Sequence, residues 1–222
     1  MQHFKLQSCS STQDYLKEKI ATIKNDFCLV STQSQTQGKG RHGNSWQQFN
    51  NSLAFSFLLQ PNQVVTLTSL EISVLLTEYF NQNILLKWPN DLLVNRNKCG
   101  GILCNIIDDI VIVGVGINLG RIENSNFNFK LPATSIDSER VLVPDEYHSI
   151  PEEIYSYIIN NRINSEQVLS RWSSLCAHLN SEVIIDSQLG IFAGVGSNGE
   201  ALLKVNDNKT QSIWSGSLFF ND

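Results

Sequence analysis

The chain has 222 residues, of which 41% are hydrophobic and 17% are charged, and its formal net charge is −5. A chain of this length and apolar content can bury about 70% of its unfolded surface, which predicts one sizeable domain or one domain with a small appendage. The negative charge argues against a protein that coats nucleic acid, because such proteins need an excess of Lys and Arg to replace the counterions on phosphates.

Targeting and metal-binding signals are absent from the sequence. It contains no run of about 18 apolar residues, and its first 20 residues lack the charged-then-apolar layout of a secretory signal. The five cysteines and four histidines are scattered, without a C-x-x-C pair. We therefore expect a cytoplasmic protein that does not bind membranes, has no disulfide framework and has no metal site built from side chains.

The predicted elements begin with a short helix from Thr12 to Ile20, which has polar residues at its cap position and Asp14 in its first turn. A strand in "FCLVSTQSQ" is expected to run into a polar loop, and the strand "SLAFSFLLQP" is closed by Pro61. Helical periodicity then covers "LTSLEISVLLTEYFNQ". Further strands are expected on both sides of "WPND", at 101–107 and at 110–115, with Asp108-Asp109 as a hairpin turn between the last two.

The C-terminal half is predicted to change from helices to short strands. After a polar loop at 126–136, helices are expected in "PEEIYSYIINNRI", with Pro151 in the first turn, and in "SEQVLSRWSSLCAHL", with a capping box at Ser165. From Ser181 onward, short strand-like segments alternate with turns and indicate a small β-barrel. Because the earlier strands follow one another without intervening helices, the fold class is α+β, with a mixed or antiparallel sheet and flanking helices. Expected domains are 1–179 and 180–222.

Two glycine-rich segments, "GKGRHG" (38–43) and "GVGSNG" (194–199), match the G-x-G-x-x-G pattern of dinucleotide-binding proteins, and "GVGINLG" misses it by one residue. That fingerprint requires a preceding strand and a following helix, which neither segment has. "GVGSNG" is typical of a hairpin turn. In "GKGRHG", backbone N–H groups, Lys39 and Arg41 can surround an anion, and no Asp or Glu occurs from Phe27 to Leu70. A surface loop with incidental charges is the alternative.

A second polar cluster is "KWPNDLLVNRNKCGGIL" (87–103). Trp88-Pro89 favours an extended backbone, after which Asn90 and Asp91 can serve a ribose, an amine or a hydrated magnesium ion. Lys98, just before Gly100-Gly101, can reach a developing negative charge in a cleft. Each feature also has a plainer interpretation, because Asn-Asp is a common turn and most lysines are solvated.

Several segments in this order resemble the biotin protein ligase family, over about Ser10 to Phe220: "SST", "QTQGKGRHGNSW", "LAFSFLL", "KWPNDLLV", "KCGGIL", "VGVGINL" and the C-terminal "WSG". The resemblance implies a biotin/lipoate ligase-like catalytic domain followed by a small SH3-like β-barrel. It implies an enzyme that uses MgATP to activate biotin as biotinyl-5′-AMP and transfers biotin to one lysine of a biotin carboxyl carrier protein. The chain resembles the short form without an N-terminal DNA-binding segment, so nucleic acid is not an expected partner. The alternative functions are a lipoate or octanoate ligase on the same fold and a non-catalytic biotin or nucleotide sensor. For the oligomeric state, a homodimer is the possibility that the fold suggests.

The resemblance also assigns roles to residues. Lys98 is the expected main catalytic cation, assisted by Arg41, and no residue is expected to form a protein metal site. Departures from the family pattern are Gln13 in place of Asn, Lys39 in place of Arg, and Asn44 and Asn105 in place of charged residues, so the glycine loop is less charged than usual. The residues implied in biotin binding are Ser11, Thr12, Gln13, Gln35, Lys39, Gly40, Arg41, Lys98, Gly100 and Gly101, and those implied in nucleotide binding are Arg41, Trp46, Asn90, Asp91 and Asn118.

Overall fold

The computed structural model describes residues 1–23, 27–122, 132–206 and 209–221. Its main layer is a seven-stranded sheet in which the first two strands pair in parallel and all the other neighbours pair antiparallel. In spatial order the strands are β1 (Gln2–Cys9), β2 (Cys28–Gln35), β5 (Ser52–Leu59), β9 (Ile110–Asn118), β8 (Asn97–Ile107), β7 (Asp91–Val94) and β6 (Leu85–Lys87). A separate two-stranded ribbon contains β3 (Gly38–Lys39) and β4 (Ser45–Trp46). The expected mixed sheet is confirmed.

Helices cover both faces of this sheet. They are α1 (Thr12–Lys19), α2 (Thr68–Phe80), α3 (Glu146–Asn160) and α4 (Ser165–Leu175). All eight residues of β5 are buried, which explains why this strand is an unbroken apolar run rather than an alternating one. Phe55 and Phe57 belong to the large core that α2, α3 and α4 share, whereas Leu58 packs with Leu16 of α1 in a smaller cluster on the other face.

A second, five-stranded antiparallel sheet follows α4, as the short C-terminal strands predicted. Its edge strands are β13 and β14, so closure into the expected SH3-like barrel stays a prediction. In chain order the strands are β10 (Glu182–Ile185), β11 (Gln188–Val195), β12 (Ala201–Asn206), β13 (Lys209–Ile213) and β14 (Leu218–Phe220).

Two predicted helix starts are wrong. Helix α3 begins at Glu146, which places Pro151 at its sixth position rather than in its first turn. The Glu146 carboxylate accepts a hydrogen bond from the Val143 N–H at 3.0 Å and pairs with Arg140 at 2.7 Å, so polar contacts extend this helix beyond its apolar periodicity. The capping box of α4 lies one residue earlier than predicted, at Asn164, whose side chain and backbone exchange hydrogen bonds with Gln167.

Other differences concern the number and the length of the strands. Strand β1 has no counterpart in the predictions, and β8 and β9 are longer than predicted. The predicted polar loop at 126–136 lies partly outside the described residues, which resume at Pro132. None of the helices among the described residues is both long and apolar enough to cross a bilayer.

Candidate active site

A cavity of about 590 Å³ lies between the GKGRHG loop, the β6–β8 end of the large sheet and the last turn of the small sheet. Of the fourteen residues that the resemblance implicates, twelve line this cavity, and only Gly100 and Asn118 do not. Gly100 is buried in β8, and the Asn118 side chain links the Ser52 hydroxyl to the Thr134 carbonyl. The fold therefore brings together segments that lie far apart in the sequence.

The N-terminus of α1 is held in place by Gln35 of β2. The Gln35 Oε1 atom accepts hydrogen bonds from both the Thr12 N–H, at 2.9 Å, and the Thr12 hydroxyl, at 3.1 Å. The Thr12 hydroxyl is also 2.8 Å from the Ser56 hydroxyl on β5. Ser11 caps the helix by accepting from the Asp14 N–H. Ser11, Thr12 and Gln35 line this hydrogen-bonded end of the cavity, and Ser11 and Thr12 are buried.

Gln13 forms part of the cavity wall, and its amide is occupied by protein partners. Its Nε2 atom donates to the Leu103 carbonyl at 2.6 Å, and its Oε1 atom accepts from Asn105 Nδ2 at 2.9 Å. The side chain crosses β9 at Gly114, where a Cβ atom would lie 2.6 Å from Gln13 Nε2. Gly114 is therefore a site residue that the sequence interpretation missed.

Trp46 lies across the same strand two residues further on. A methyl group at Gly116 would overlap the Trp46 indole, so this glycine leaves the space that the ring occupies. Residues i and i+2 of a strand face the same side, which explains the "GVG" spacing in "VGVGINL". From the sequence, this segment is a failed dinucleotide match and part of the family resemblance, and neither interpretation gives its glycines a role. In the structure the two glycines accommodate Gln13 and Trp46 side by side.

The carboxylate of Asp91 lies between two lysines. Its Oδ1 atom is 2.5 Å from Lys98 Nζ, and its Oδ2 atom is 2.9 Å from Lys87 Nζ. Burial alone would raise the pKa of Asp91, but the two ammonium groups outweigh it and keep the pKa below its usual value. Lys98 Nζ also lies 5.8 Å from the centroid of a Trp46 ring. Lys98 thus faces the cavity beside an ionised carboxylate and an aromatic surface.

The GKGRHG loop directs one of its two permanent cations toward the cavity. Arg41 is partly buried, and desolvation lowers its pKa, although Asp91 and Asp186 favour its charged form. Lys39 lines the cavity, but its ammonium group pairs with Asp14 of α1 at 2.7 Å. The two loop cations therefore differ: Arg41 contributes charge to the cavity, whereas Lys39 attaches the loop to α1.

The last turn of the small sheet closes one side of the cavity. Arg41 Nη1 donates to the Gly216 carbonyl at 3.3 Å, and the Ser215 hydroxyl is 3.4 Å from His42 Nε2. Asp186 stabilises this turn by accepting from the Ser217 N–H at 3.0 Å. From the sequence, "WSG" belongs to the family resemblance but has no assigned role in the site. Its contact with the loop is visible only in three dimensions, because Gly216 lies 175 positions from Arg41.

A second contact joins the two sheets at Trp88. Its indole Nε1–H donates to the Gly199 carbonyl at 3.0 Å. Gly199, with φ of +82°, lies in the turn between β11 and β12 and approaches Leu67 and Leu70. The hairpin turn predicted for "GVGSNG" is confirmed, and it also attaches the small sheet to the large one.

Comparison with known proteins places these features in a family. Residues 5–120 match the model of the biotin/lipoate A/B protein ligase family, which is more than half of the chain. The chain belongs to this family. It is similar to the solved structure of a biotin protein ligase from Aquifex aeolicus in complex with biotin and ATP, with a TM-score of 0.77, 26% identity and 99% of each chain covered.

Among curated members of the family, biotin–protein ligase 2 of Arabidopsis thaliana is 33% identical over 126 residues, which cover 50% of this chain and 38% of the plant protein. The biotin–[acetyl-CoA-carboxylase] ligase of Mycobacterium tuberculosis is 25% identical over 219 residues, which cover 90% of this chain and 81% of the relative. The chain thus spans about two fifths of the length of the plant relative. The α+β fold with a C-terminal strand-rich sheet agrees with the Aquifex structure.

The described residues of this family member contain no cluster of side chains that could by itself coordinate a metal ion. They contain no group of three or more His, Cys, Asp or Glu side chains arranged to hold one. Asp91 is the one carboxylate among the described residues lining the cavity, and two lysines already occupy it. A magnesium ion carried by nucleotide phosphates fits this arrangement better than a resident metal, since Mg²⁺ commonly binds with few protein ligands.

Proposed function

We propose that the protein is a biotin protein ligase, which joins biotin to a lysine of a biotin carboxyl carrier protein and consumes MgATP. The observation that carries the proposal is one cavity that Lys98 and Arg41 both line, in which the carboxylate of Asp91 is paired with Lys98. Most of the segments that form this cavity lie within the part of the chain that matches the family. A related structure is named as a complex with biotin and ATP, which is the pair of small substrates that this cavity would hold.

In the first step, a carboxylate oxygen of biotin attacks the α-phosphorus of ATP, and the bond to the β-phosphate oxygen breaks. Biotinyl-5′-AMP forms and pyrophosphate leaves with the bonding electrons. Because both reactants are anions, their approach is unfavourable in water. A site that supplies fixed positive charge, and whose one carboxylate among the described lining residues is paired with two lysines, reduces this repulsion and stabilises charge on the transferring phosphoryl group.

In the second step, the lysine amine of the carrier attacks the acyl carbonyl, AMP leaves with the bonding electrons, and the new amide loses a proton. The name of the Mycobacterium relative points to an acetyl-CoA-carboxylase component as the acceptor. We propose that a carrier domain of this type is the protein substrate. The protein is proposed to act in the cytoplasm, without a nucleic acid or membrane partner. A homodimer is the proposed assembly to test by light scattering.

Roles in the site follow from position. Ser11, Thr12 and Gln35 are proposed to bind the biotin ring, with Gln13 as a wall and the Gly100-Gly101 backbone beside it. Lys98, Gly40 and Arg41 are proposed at the carboxylate and α-phosphate, together with Lys39, whose ammonium group must leave Asp14 to reach them. Trp46, Asn90, Asp91 and Asn118 are proposed on the nucleotide side, where Asn118 would act through its contacts with neighbouring backbone rather than from the cavity wall.

We also propose two domains, a catalytic domain at 1–179 and a small β-domain at 180–222. The separate hydrogen-bonded sheets on either side of this boundary support the division. Because Arg41 and Trp88 contact the small sheet, the second domain is proposed to complete the site rather than to act as an independent module.

The proposal is tested by incubating the protein with MgATP and biotin and measuring pyrophosphate and biotinyl-5′-AMP. We expect both products to depend on biotin, with little product from octanoate or lipoate. Equal or greater turnover of octanoate or lipoate would indicate a lipoate or octanoate ligase instead. Pyrophosphate release that does not depend on biotin would contradict the proposal.

A further inference from the structure

Lys87, the first residue of the "KWPND" segment, has no role in the proposal above. It ends β6 and is almost fully enclosed, with 6% of its side chain exposed. Its ammonium group contacts Asp91 at 2.9 Å, and it lines the cavity. A buried lysine is costly unless it is paired. Its position therefore needs an explanation in terms of Asp91.

The strand register places Lys87 and Asp91 side by side. Lys87 of β6 pairs with Asp91 of β7, and Asp91 in turn pairs with Gly101 of β8. The two oxygens of one carboxylate contact different lysines: Oδ2 meets Lys87 and Oδ1 meets Lys98. Two positive charges and one negative charge leave this group with a net charge of +1.

The two lysines differ in their freedom to move. The Lys98 side chain is 32% exposed, whereas that of Lys87 is 6% exposed. If Lys98 is to contact the α-phosphate, its ammonium group must loosen its ion pair with Asp91. A buried carboxylate that loses its only counterion is strongly destabilising, so a lone Asp91–Lys98 pair would resist this exchange.

We propose that Lys87 is a positioning residue that keeps Asp91 neutralised while Lys98 transfers from Asp91 to the substrate phosphate. Asp91 holds Lys98 at the cavity before the nucleotide binds. Lys87 lowers the free-energy cost of releasing Lys98 from Asp91, because the carboxylate keeps one ion pair. This inference rests on the proposed function, because it assigns the phosphate of biotinyl-5′-AMP as the group that receives Lys98.

The test uses the affinity for a stable analogue, the phosphate diester of AMP and the alcohol corresponding to biotin, measured by calorimetry beside the affinity for biotin. The variants are Lys87→Met, Asp91→Asn and the double variant. Lys5→Met, which removes a half-exposed lysine paired with Glu152, is the control. We expect Lys87→Met to weaken analogue binding by about ten-fold or more and biotin binding by less than about two-fold.

The double variant separates the proposed role from direct substrate contact. With Asp91 uncharged, Lys87 has nothing to neutralise, so we expect the double variant to bind the analogue within about three-fold of Asp91→Asn. A double variant about ten-fold weaker than Asp91→Asn would show that Lys87 itself binds the ligand and would overturn the inference. Unchanged analogue affinity in folded Lys87→Met would also overturn it.

Folding defects do not obscure the result. If Lys87→Met, in which Asp91 keeps only Lys98, does not fold, the comparison of the double variant with Asp91→Asn still decides, because neither contains a carboxylate at position 91. In Asp91→Asn the amide oxygen that replaces the carboxylate can still accept a hydrogen bond from Lys87. Failure of the unmodified protein to bind either biotin or the analogue would contradict the proposed function. In contrast, normal binding with no effect of Lys87→Met would contradict only this inference.

Discussion

Lys98 is the residue on which the proposed chemistry depends most. Its ammonium group faces the cavity between Asp91 and the Trp46 ring, and the sequence pointed to it because a lysine precedes two glycines at the start of a strand. What the sequence did not reveal is the environment that controls this lysine. Asp91 and Lys87 come from neighbouring strands whose register depends on the whole sheet.

Lys98→Ala should lower the rate of biotinyl-5′-AMP formation by about 10²–10³-fold, as expected when one preorganised group that stabilises the transition state is removed. Fold stability should change little, because Asp91 retains Lys87. Pyrophosphate release in single-turnover reactions measures the rate, and circular dichroism checks the fold. A folded variant with the normal rate would remove Lys98 from the mechanism.

Gly116 is a residue whose role depends on a neighbour distant in sequence. Gly116→Ala should displace the Trp46 indole, since the added methyl group overlaps it, at a cost of about 1–3 kcal/mol. We expect weaker ATP binding, a smaller change in biotin binding and altered tryptophan fluorescence. An unchanged ATP affinity would argue against Trp46 as part of the nucleotide side.

At the scale of elements, the long apolar segments were predictable and their ends were not. The eight buried residues of β5 and the periodic α2 have strong patterns. In contrast, α3 begins earlier than predicted because Glu146 makes polar contacts there. Strand β1 was not predicted, and its pairing with β2 is parallel and distant in sequence. Such pairing depends on tertiary contacts that no local pattern encodes.

We expect the GKGRHG loop to control retention of the intermediate, because Arg41 joins the loop to the last turn of the small sheet. Arg41→Gly should release biotinyl-5′-AMP about ten-fold faster, as expected for the loss of a hydrogen bond from a charged group. The escaped intermediate should then label lysines of a bystander protein.

Mass spectrometry of the bystander protein measures this release. Lys39→Met is the comparison variant, since Lys39 lines the cavity but its ammonium group pairs with Asp14 of α1. We expect a smaller increase in labelling for Lys39→Met than for Arg41→Gly. Equal labelling by Arg41→Gly and the unmodified protein would contradict a closing role for Arg41.

At the scale of the whole molecule, acid should destabilise the fold through buried histidines. Desolvation lowers the pKa of His178 to about 3 and also lowers the pKa values of His3 and His148. His178 is therefore neutral in the folded state at pH 5 but binds a proton in the unfolded state below pH 6.5, and His3 and His148 bind protons less readily in the folded state than in the unfolded state. Stability is therefore complete above that pH and decreases as the pH falls from 6.5 toward the folded pKa of each histidine.

His178 should make the largest histidine contribution, about 1.4 kcal/mol for each pH unit below 6.5. Its ring packs 4.2 Å from Phe192, centroid to centroid, so His178→Phe is a suitable variant. Urea unfolding at pH 7.5 and pH 5 should show a loss of stability in the unmodified protein that is smaller by about 2 kcal/mol in the variant. The same loss in both proteins would contradict the assignment.

The whole-molecule arrangement also explains why the site could be predicted only in part. Twelve of the fourteen expected residues line one cavity, and each could be predicted because it belongs to a motif that is recognisable within a short stretch of sequence. Lys87, Gly114, Gly116 and the turn at Gly216 were missed, since their roles arise from strand register and from contact between two sheets.

Transfer of biotin to a carrier protein is the decisive test of the proposed ligase activity. The protein would be incubated with MgATP, biotin and a purified biotin carboxyl carrier domain, with intact-mass measurement of the carrier over time and Lys98→Ala in parallel. We expect one biotinyl group, on the carrier lysine alone, that requires both ATP and biotin and forms far more slowly with Lys98→Ala. A carrier that stays unmodified although the protein binds biotin and ATP, or equal labelling by Lys98→Ala, would contradict it.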